Sequence, residues 1–409
     1  MVRGAERAGT ATMTFIHAGR YNLVAMDLVY LDNNATTQPA PEVVEAMVPY
    51  LTQVWGNPSS VHRFGQQARK AIDEARGHLA GLLNCNESEL LFTGGGTESI
   101  NTALRGVLYS RAPRKRIVTS AVEHSASREL CKQLARDGVE IVEIPVDQTG
   151  ALDMDCLRHS IDDQTALVSI MWANNETGVI FPVEQIAEIC KTARVPFHCD
   201  ATQAVGKVAT DLRAAGVDLA SLAAHKFHGP KGVGAMYLRR GVRCATWLVG
   251  GPQERGRRGG TENVPGIVGM GKAAQLAREH LPEMSRVAQL RDRLEQSVLS
   301  SIPETHVNGR TDLRVPNTTN IGFTRLEAEA ILLLLSEQGI CASAGAACSS
   351  GSLEPSHVLR AMKIDERIAH GAVRFSLSRY TTEAEIDRTL NILPGVIARL
   401  RAVLPVGAA

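Results

Sequence analysis

Between about residue 60 and residue 240 the chain alternates two hydrophobic rhythms. In Phe64 to Leu83 the apolar positions 64, 68, 71, 72, 75, 79 and 82 recur every 3.6 residues, which predicts a helix with one buried face. Pro182, followed by Val183, Ile186, Ala187, Ile189 and Cys190 on one face, predicts another helix opening on a first-turn proline. Short apolar runs lie between such helices: RIVTSA (116–121), EIVEIP (140–145), ALVSIMWA (166–173), VPFHCDA (195–201) and DLASLAA (218–224). Runs of this kind are buried on both sides, and their separation by helices predicts a mainly parallel sheet covered on both faces. Functional residues are then expected just beyond the carboxyl ends of those strands.

The rhythm changes after about residue 283. RVAQLRDRLEQSVLSSI reads as a long amphipathic helix, NTTNIGF as a strand, EAEAILLLLSEQ as a helix and VRFSLS as a strand. These predict a smaller α+β domain, completed by residues 26–36. Residues 1–25 precede a clear restart at Met26. They carry Arg3, Arg7 and Arg20 but lack the amphipathic pattern of a targeting helix, so a disordered extension is expected. The basic run RAPRKR (111–116) reads as a solvated turn.

Totals narrow the function classes. A chain of 409 residues suggests two or three domains at ~150 residues each. A net charge of +1 gives no electrostatic case for nucleic acid or an anionic membrane as partner. The best apolar run, Ala330 to Leu335, is flanked by Glu329 and Glu337 and falls far short of the ~20 residues of a membrane helix. Eight cysteines, at 85, 131, 156, 190, 199, 244, 341 and 348, form no C-x-x-C pair and no zinc-spaced cluster. Free thiols in a reducing cytoplasm are the expectation.

Four strand-end segments carry candidate chemistry. TGGGTES (93–99) is a glycine-rich turn entering a helix, whose backbone N–H groups and Thr97 hydroxyl suit a phosphate. FHCDATQ ends a strand on Asp200, SLAAHKFHGPKG ends the next on Lys226 after His225, and SAVEHSA puts His124 just past a third. Taken singly, each has a plain structural role: a turn, a helix cap, a surface lysine, a structural histidine. Taken together they are the set that pyridoxal phosphate needs, namely a Schiff-base lysine, an acid for the pyridinium nitrogen and an anion cradle. His124 could then lie over the ring and move protons, since its pKa is near neutral.

With those segments in place, the chain resembles the cysteine desulfurase family of fold-type-I, class-V-aminotransferase-like enzymes. YLDNNATT (30–37), GNPSSVH (56–62), GGTES (95–99), VEH (122–124), ANNETG (173–178), DATQAVGK (200–207), HKFHGPKG (225–232), GGTENV (259–264) and SGSLEPSHVLRAM (350–362) carry the likeness, from about residue 28 to the C-terminus. MWANNETG, QERGRRGGTENV and RFSLSRYTTEAEID are most similar to the nitrogen-fixation-type branch. The resemblance implies an α/β fold with a large domain (37–282) built on a mainly parallel seven-stranded sheet, and a small domain (26–36 and 283–409).

It also implies roles. Lys226 would hold the cofactor covalently, Asp200 would pair with its pyridinium nitrogen and Gln203 with its phenolic oxygen, and His124 would stack on the ring. Gly96, Thr97 and His225 would hold the phosphate, with Thr261 reaching in from the second subunit of a homodimer. Asn34, Asn175 and Arg374 would position L-cysteine, Arg374 by a bidentate grip on the α-carboxylate. Plain roles stay open for two of these, Arg374 as an ion-pair partner and Asn175 as a turn former. Cys348 would be the nucleophile that takes the sulfur as a persulfide for an iron–sulfur scaffold protein, nitrogenase clusters included, and a transient iron–sulfur ligand. One departure stands out. The family's phosphate-binding serine, three residues before the lysine, is Ala223 here, and Ser221 lies too far back to replace it.

CASAGAACSSGS (341–352) places Cys348 among small residues with no histidine or acid beside it. Gly345 and Gly351 predict low packing and high backbone freedom. That composition suits a thiol activated by the site it visits, not by its neighbours. Cys341 reads as a strand residue at the base of this segment. Rival readings are a selenocysteine lyase or related β-lyase on the same scaffold, and a non-catalytic scaffold that binds a sulfur acceptor.

Overall fold

The computed structural model describes residues 28–344 and 354–403. The chain enters on β1 (Val29–Tyr30) and reaches the first strand of the main sheet, β2 (Leu90–Thr93), after two helices, Pro41–Thr52 and Arg63–Leu83. There follow β3 (Arg116–Ser120), β4 (Glu140–Ile144), β5 (Thr165–Met171), β6 (Phe197–Asp200), β7 (Leu219–Ala223) and β8 (Gly234–Leu238). These seven strands lie in the order β2-β8-β7-β6-β5-β3-β4. Pairing is parallel from β4 across to β7, and only β8 runs against its two neighbours. Every residue of β5, β6 and β7 is buried, because helices cover both faces. That is why these strands read as unbroken apolar runs.

The helix predicted over 64–83 spans Arg63–Leu83. His62 Nδ1 caps its first turn by accepting from Gly65 N–H at 3.1 Å, and Asn84 ends it in the left-handed region at φ 50°. Its buried stripe of Ala68, Ile72, Ala75, Leu79 and Leu83 packs on the helix Val264–Glu279. A Cβ added at Gly271 would sit 2.5 Å from Ala75, so glycine sets that close approach. Pro182 stands one position earlier than expected, at the cap of the helix Val183–Ala193. The run 111–116 is more than a solvated turn. Arg116 pairs with Glu140 at 2.9 Å and with Asp162, and Arg111 and Arg114 wall a 510 Å³ cavity at the far end of the sheet from Lys226.

A second sheet is antiparallel, in the order β12-β10-β9, from β9 (Thr305–Val307), β10 (Thr318–Phe323) and β12 (Ala372–Ser376). β1 pairs in parallel with β11 (Ile340–Cys341), placing Cys341 opposite Tyr30 as a strand residue. Val29 and Leu31 join Ile321, Phe323, Val373 and Phe375 in one apolar cluster closed by the helices Met284–Ser301 and Glu383–Val403. The segment after β1 bridges to β12 at Asp32 and Ser376, and so comes to lie between the two sheets.

Candidate active site

Asp200 is the last residue of β6, and its Oδ1 accepts from Thr202 N–H at 3.0 Å. Lys226 closes the short turn that follows β7, and its Nζ donates to the backbone oxygens of Asn34 and Ala35 at 2.7 and 2.8 Å. His124 caps the helix Ser125–Arg136, where its Nδ1 accepts from Ala126 N–H at 3.1 Å. That contact puts the proton of the neutral ring on Nε2. Burial holds His124 below the usual histidine range and Lys226 and Arg374 act the same way, while Asp200 opposes them. The glycine turn after β2 starts the helix Gly96–Ser110, and Glu98 stiffens it by accepting from Gly94 N–H at 2.8 Å and pairing with Arg258 at 2.9 Å.

These elements end at one cavity of 250 Å³. Gly96, Thr97, His124, Asn175, Asp200, Gln203, His225 and Lys226 all line it. His225 Nδ1 lies 3.2 Å from Thr36 Oγ1, and burial beside Lys226 pushes its pKa down to about 4. The wall fits a phosphorylated aromatic ring on its own evidence. The helix N-terminus at Gly96–Thr97 is an anion site. Beside it, Thr202 Oγ1 is buried without a hydrogen-bond partner, and the missing Cβ of Gly96 leaves room 3.4 Å from that oxygen and 3.6 Å from Ala223 Cβ. Asp200 is the carboxylate on the wall, suited to a protonated ring nitrogen. Ser221 is already engaged, since His198 sits between Ser169 Oγ at 2.9 Å and Ser221 Oγ at 2.8 Å.

Four expected residues stand apart from the cavity wall. Asn34 is buried behind it, with Nδ2 donating to Asn175 O and Thr318 Oγ1. Arg374, on β12, donates to Asn175 O at 2.9 Å and to Asp32 Oδ1 at 2.7 Å. Thr261 is exposed and away from the cavity. Cys348 lies outside the described residues, but both flanks of its segment are tied to residues next to this site. Ser343 exchanges backbone hydrogen bonds with Arg374. Beyond the segment, Ser356 donates its hydroxyl to Glu176 Oε2, and His357 Nε2 lies 2.9 Å from the backbone oxygen of Glu123, next to His124.

Sequence reasoning passed over three buried groups. Glu123 Oε1 accepts from Ser120 and from Met171 N–H, and burial pushes its carboxyl up to about 8. Glu176 is likewise raised by burial. Lys207 donates to Asn34 Oδ1 at 2.8 Å and to Gln203 Oε1. Its spacing of four from Gln203, in a run of tight turns, was the one signal available.

Known proteins show the same frame. The class-V aminotransferase family model matches residues 29–389. Cysteine desulfurase 2 of Trichormus variabilis is 55% identical over 380 residues, 93% of this chain and 96% of its own. The cysteine desulfurase NifS of Azotobacter vinelandii is 51% identical, over 92% of this chain and 94% of its own. Among solved structures, a NifS-like protein matches with a TM-score of 0.86 at 39% identity, covering 91% of this chain and all of its own. Another, SspA in complex with cysteine, matches with a TM-score of 0.77 at 32% identity, covering 86% and 99%. Among the described residues no helix is long and apolar enough to cross a membrane.

Proposed function

Since the chain belongs to the class-V aminotransferases and, within them, to the cysteine desulfurases, we propose that the 250 Å³ cavity is where L-cysteine gives up its sulfur to Cys348. The protein is a pyridoxal-phosphate-dependent cysteine desulfurase. When bound, pyridoxal phosphate supplies an electron sink that makes the α-proton of cysteine acidic and loosens its Cβ–S bond.

The chain's own residues supply the rest. The N–H groups at Gly96 and Thr97, with His225, hold the phosphate, and Thr261 of a second copy completes the cradle in a homodimer. Asp200 would keep a proton on the ring nitrogen, and Gln203 would donate to the phenolic oxygen. His124, on the cavity wall, would lie against the bound ring and carries its proton on Nε2. Lys226 takes the α-proton from one face and returns a proton later. Asn175 and Arg374 would hold the substrate carboxylate end, with Asn34 bracing Asn175 from behind the wall. Cys348 as thiolate then forms the new S–S bond while the Cβ–S bond breaks. The electron pair of that bond stays with the three-carbon fragment, which takes a proton and leaves as alanine. The persulfide sulfur passes to an acceptor for iron–sulfur assembly, and the likeness of MWANNETG and QERGRRGGTENV to the nitrogen-fixation branch favours nitrogenase clusters as its destination. Cys348 would touch iron only during that hand-over. Residues 37–282 form the cofactor-binding domain in this reading, 26–36 and 283–409 the domain that carries Cys348, and the cytoplasm supplies the reducing setting.

The observation that carries the reading is the meeting of Lys226, Asp200, His124 and the Gly96 helix start at one cavity. Cys348→Ala is expected to keep the cofactor absorbance and its change on adding cysteine, yet to release no sulfide. Full sulfide production by that variant would overturn the nucleophile assignment. Selenide release from selenocysteine by the same variant, with normal rate and no cysteine turnover in the parent, would favour the lyase reading.

A further inference from the structure

We propose that Lys207 is a positioning residue: it fixes the Gln203 carboxamide so that an N–H, and not the carbonyl oxygen, faces the cavity. The inference rests on the reading of that cavity as the pyridoxal-phosphate site.

Lys207 is buried, and its Nζ donates to Asn34 Oδ1 at 2.8 Å and to Gln203 Oε1. On the other side of the same amide, Gln203 Nε2 donates to the backbone oxygen of Asn34 at 3.0 Å. The two ends of a carboxamide are nearly the same shape, so their partners decide which way it points. Here both partners agree. Turning the amide over would set Oε1 against the Asn34 carbonyl, acceptor against acceptor, and Nε2 against the amine that now donates to it. Without the amine, Gln203 Oε1 loses its buried donor and only the Asn34 carbonyl contact is left to orient the amide, so the N–H is held less firmly toward the cavity. Nε2 carries two hydrogens and gives one to Asn34, so the second is left for the cavity that Gln203 lines. An N–H there suits an anionic oxygen; a carbonyl there would repel it.

The same amine fixes a second amide. Asn34 Oδ1 accepts from Lys207 and from Asn317 Nδ2 at 3.0 Å, which turns Asn34 Nδ2 toward Asn175 O at 3.1 Å and Thr318 Oγ1 at 2.8 Å. The backbone oxygen of Asn34 also accepts from Lys226. Lys207 therefore holds two residues of the site, Gln203 and Asn34, while standing outside the cavity wall.

Its burial is costly, and that argues for a use. Burial pushes the Lys207 pKa well below the usual lysine range, with Lys226 and Arg374 adding to the effect. Lys226 and Arg374 are the cations that act on it, while Asp200 and His124 line the cavity that Gln203 also lines. No carboxylate hydrogen-bonds to Lys207 among the described residues. A methionine would fill the same space without the desolvation penalty. The N–H groups are what an apolar side chain would lose.

A donor on the phenolic oxygen draws off negative charge that would otherwise hold the proton of the neighbouring lysine-derived nitrogen. The pH midpoint of the visible absorbance of the bound cofactor is therefore lower with the donor than without it. The test titrates that absorbance in the holoenzyme and in Lys207→Met, Lys207→Gln, Gln203→Leu and the Gln203→Leu/Lys207→Met double variant. Lys207→Met is expected to raise the midpoint by about one pH unit. Lys207→Gln should move it in the same direction and carries the test if the methionine variant does not fold. In the Gln203→Leu background, Lys207→Met should add no further shift. An unchanged midpoint in both single Lys207 variants overturns the proposal. So does an undiminished shift in the Gln203→Leu background, which would assign the effect to charge acting directly. A parent protein that forms no cofactor band linked to Lys226 would instead sink the cofactor-site reading itself.

Discussion

Arg374 donates from Nη2 to Asp32 Oδ1 at 2.7 Å, and this pair joins β12 to the segment that follows β1. Nη1 of the same guanidinium donates to Asn175 O at 2.9 Å, so the arginine is aimed by both sheets before any substrate arrives. Asp32 and the backbone of Asn175, a wall residue, thus hold the guanidinium just behind the cavity. Arg374→Lys keeps the charge but loses the planar fork. Its expected signature is a KM for cysteine raised by about tenfold or more, with little change in cofactor absorbance. A KM equal to that of the parent would remove Arg374 from substrate binding. Asp32→Asn should lower stability as well, by about 3 kcal/mol in urea unfolding, because the arginine is buried and loses its counter-charge.

The Ala223 departure yields a second expectation. The structure explains why Ser221 does not compensate: its hydroxyl is held by His198 on the adjacent strand. Ala223 Cβ lies next to the space above Gly96, where Thr202 Oγ1 is without a partner. A hydroxyl placed at 223 would border the same space above Gly96 that an anion at the helix start would occupy. A hydrogen bond to a charged group contributes roughly 1.5–3 kcal/mol, so Ala223→Ser should lower the cofactor Kd by about tenfold or more. Equilibrium titration of the apoprotein with pyridoxal phosphate measures it, and an unchanged Kd would refute the argument.

Legibility in the sequence followed burial symmetry. β5, β6 and β7 announced themselves because both faces are covered, so every position is buried and most are apolar. β8, GAMYL, is as buried as β7, but it follows the turn residues of HGPKG and opens on glycine, and its antiparallel direction leaves no mark in the local sequence. Strand ends were readable because Asp200 and Lys226 are polar residues closing apolar runs. The pairing of Arg374 was left open between a substrate grip and an ion pair, and its Asp32 partner is 342 positions away. Long-range partners also hid Lys207, whose contact with Asn34 spans 173 positions. A lysine in DATQAVGK looks like any surface lysine until the fold closes over it.

Two buried groups shape the pH dependence of stability in opposite directions. His198 is pushed down to about 4 by burial. Its folded pKa lies below the unfolded value, so its contribution is full above about pH 6.5 and is lost as pH falls toward 4. Glu123 is pushed up to about 8, again by burial. Its folded pKa lies above the unfolded value, so stability is lost as pH rises from about 4.5 toward 8, where the unfolded chain is ionised and the folded one is not. Glu123→Gln removes the second slope while keeping an acceptor for Ser120 and Met171 N–H. Relative to the parent, that variant should gain on the order of 3 kcal/mol more at pH 8 than at pH 5. Urea unfolding at the two values measures the difference, and an equal effect at both would show that Glu123 is ionised in the fold.

The anchor downstream of Cys348 separates stability from sulfur transfer. Ser356 Oγ donates to Glu176 Oε2 and accepts from Val358 N–H at 3.1 Å, so one hydroxyl satisfies a buried carboxyl and caps the helix His357–Ala361. Ser356→Ala removes both contacts and leaves Glu176 buried without its donor, a loss of about 1–3 kcal/mol. The cavity itself is untouched, because neither Ser356 nor Glu176 lines it. Cofactor absorbance and the KM for cysteine should therefore stay at parent values. If this anchor sets where the Cys348 segment ends, sulfide production should fall several-fold at temperatures where the variant is fully folded. Normal turnover in a destabilised but folded Ser356→Ala protein would show that the contact with Glu176 serves the fold alone, and that Cys348 finds the cavity without it.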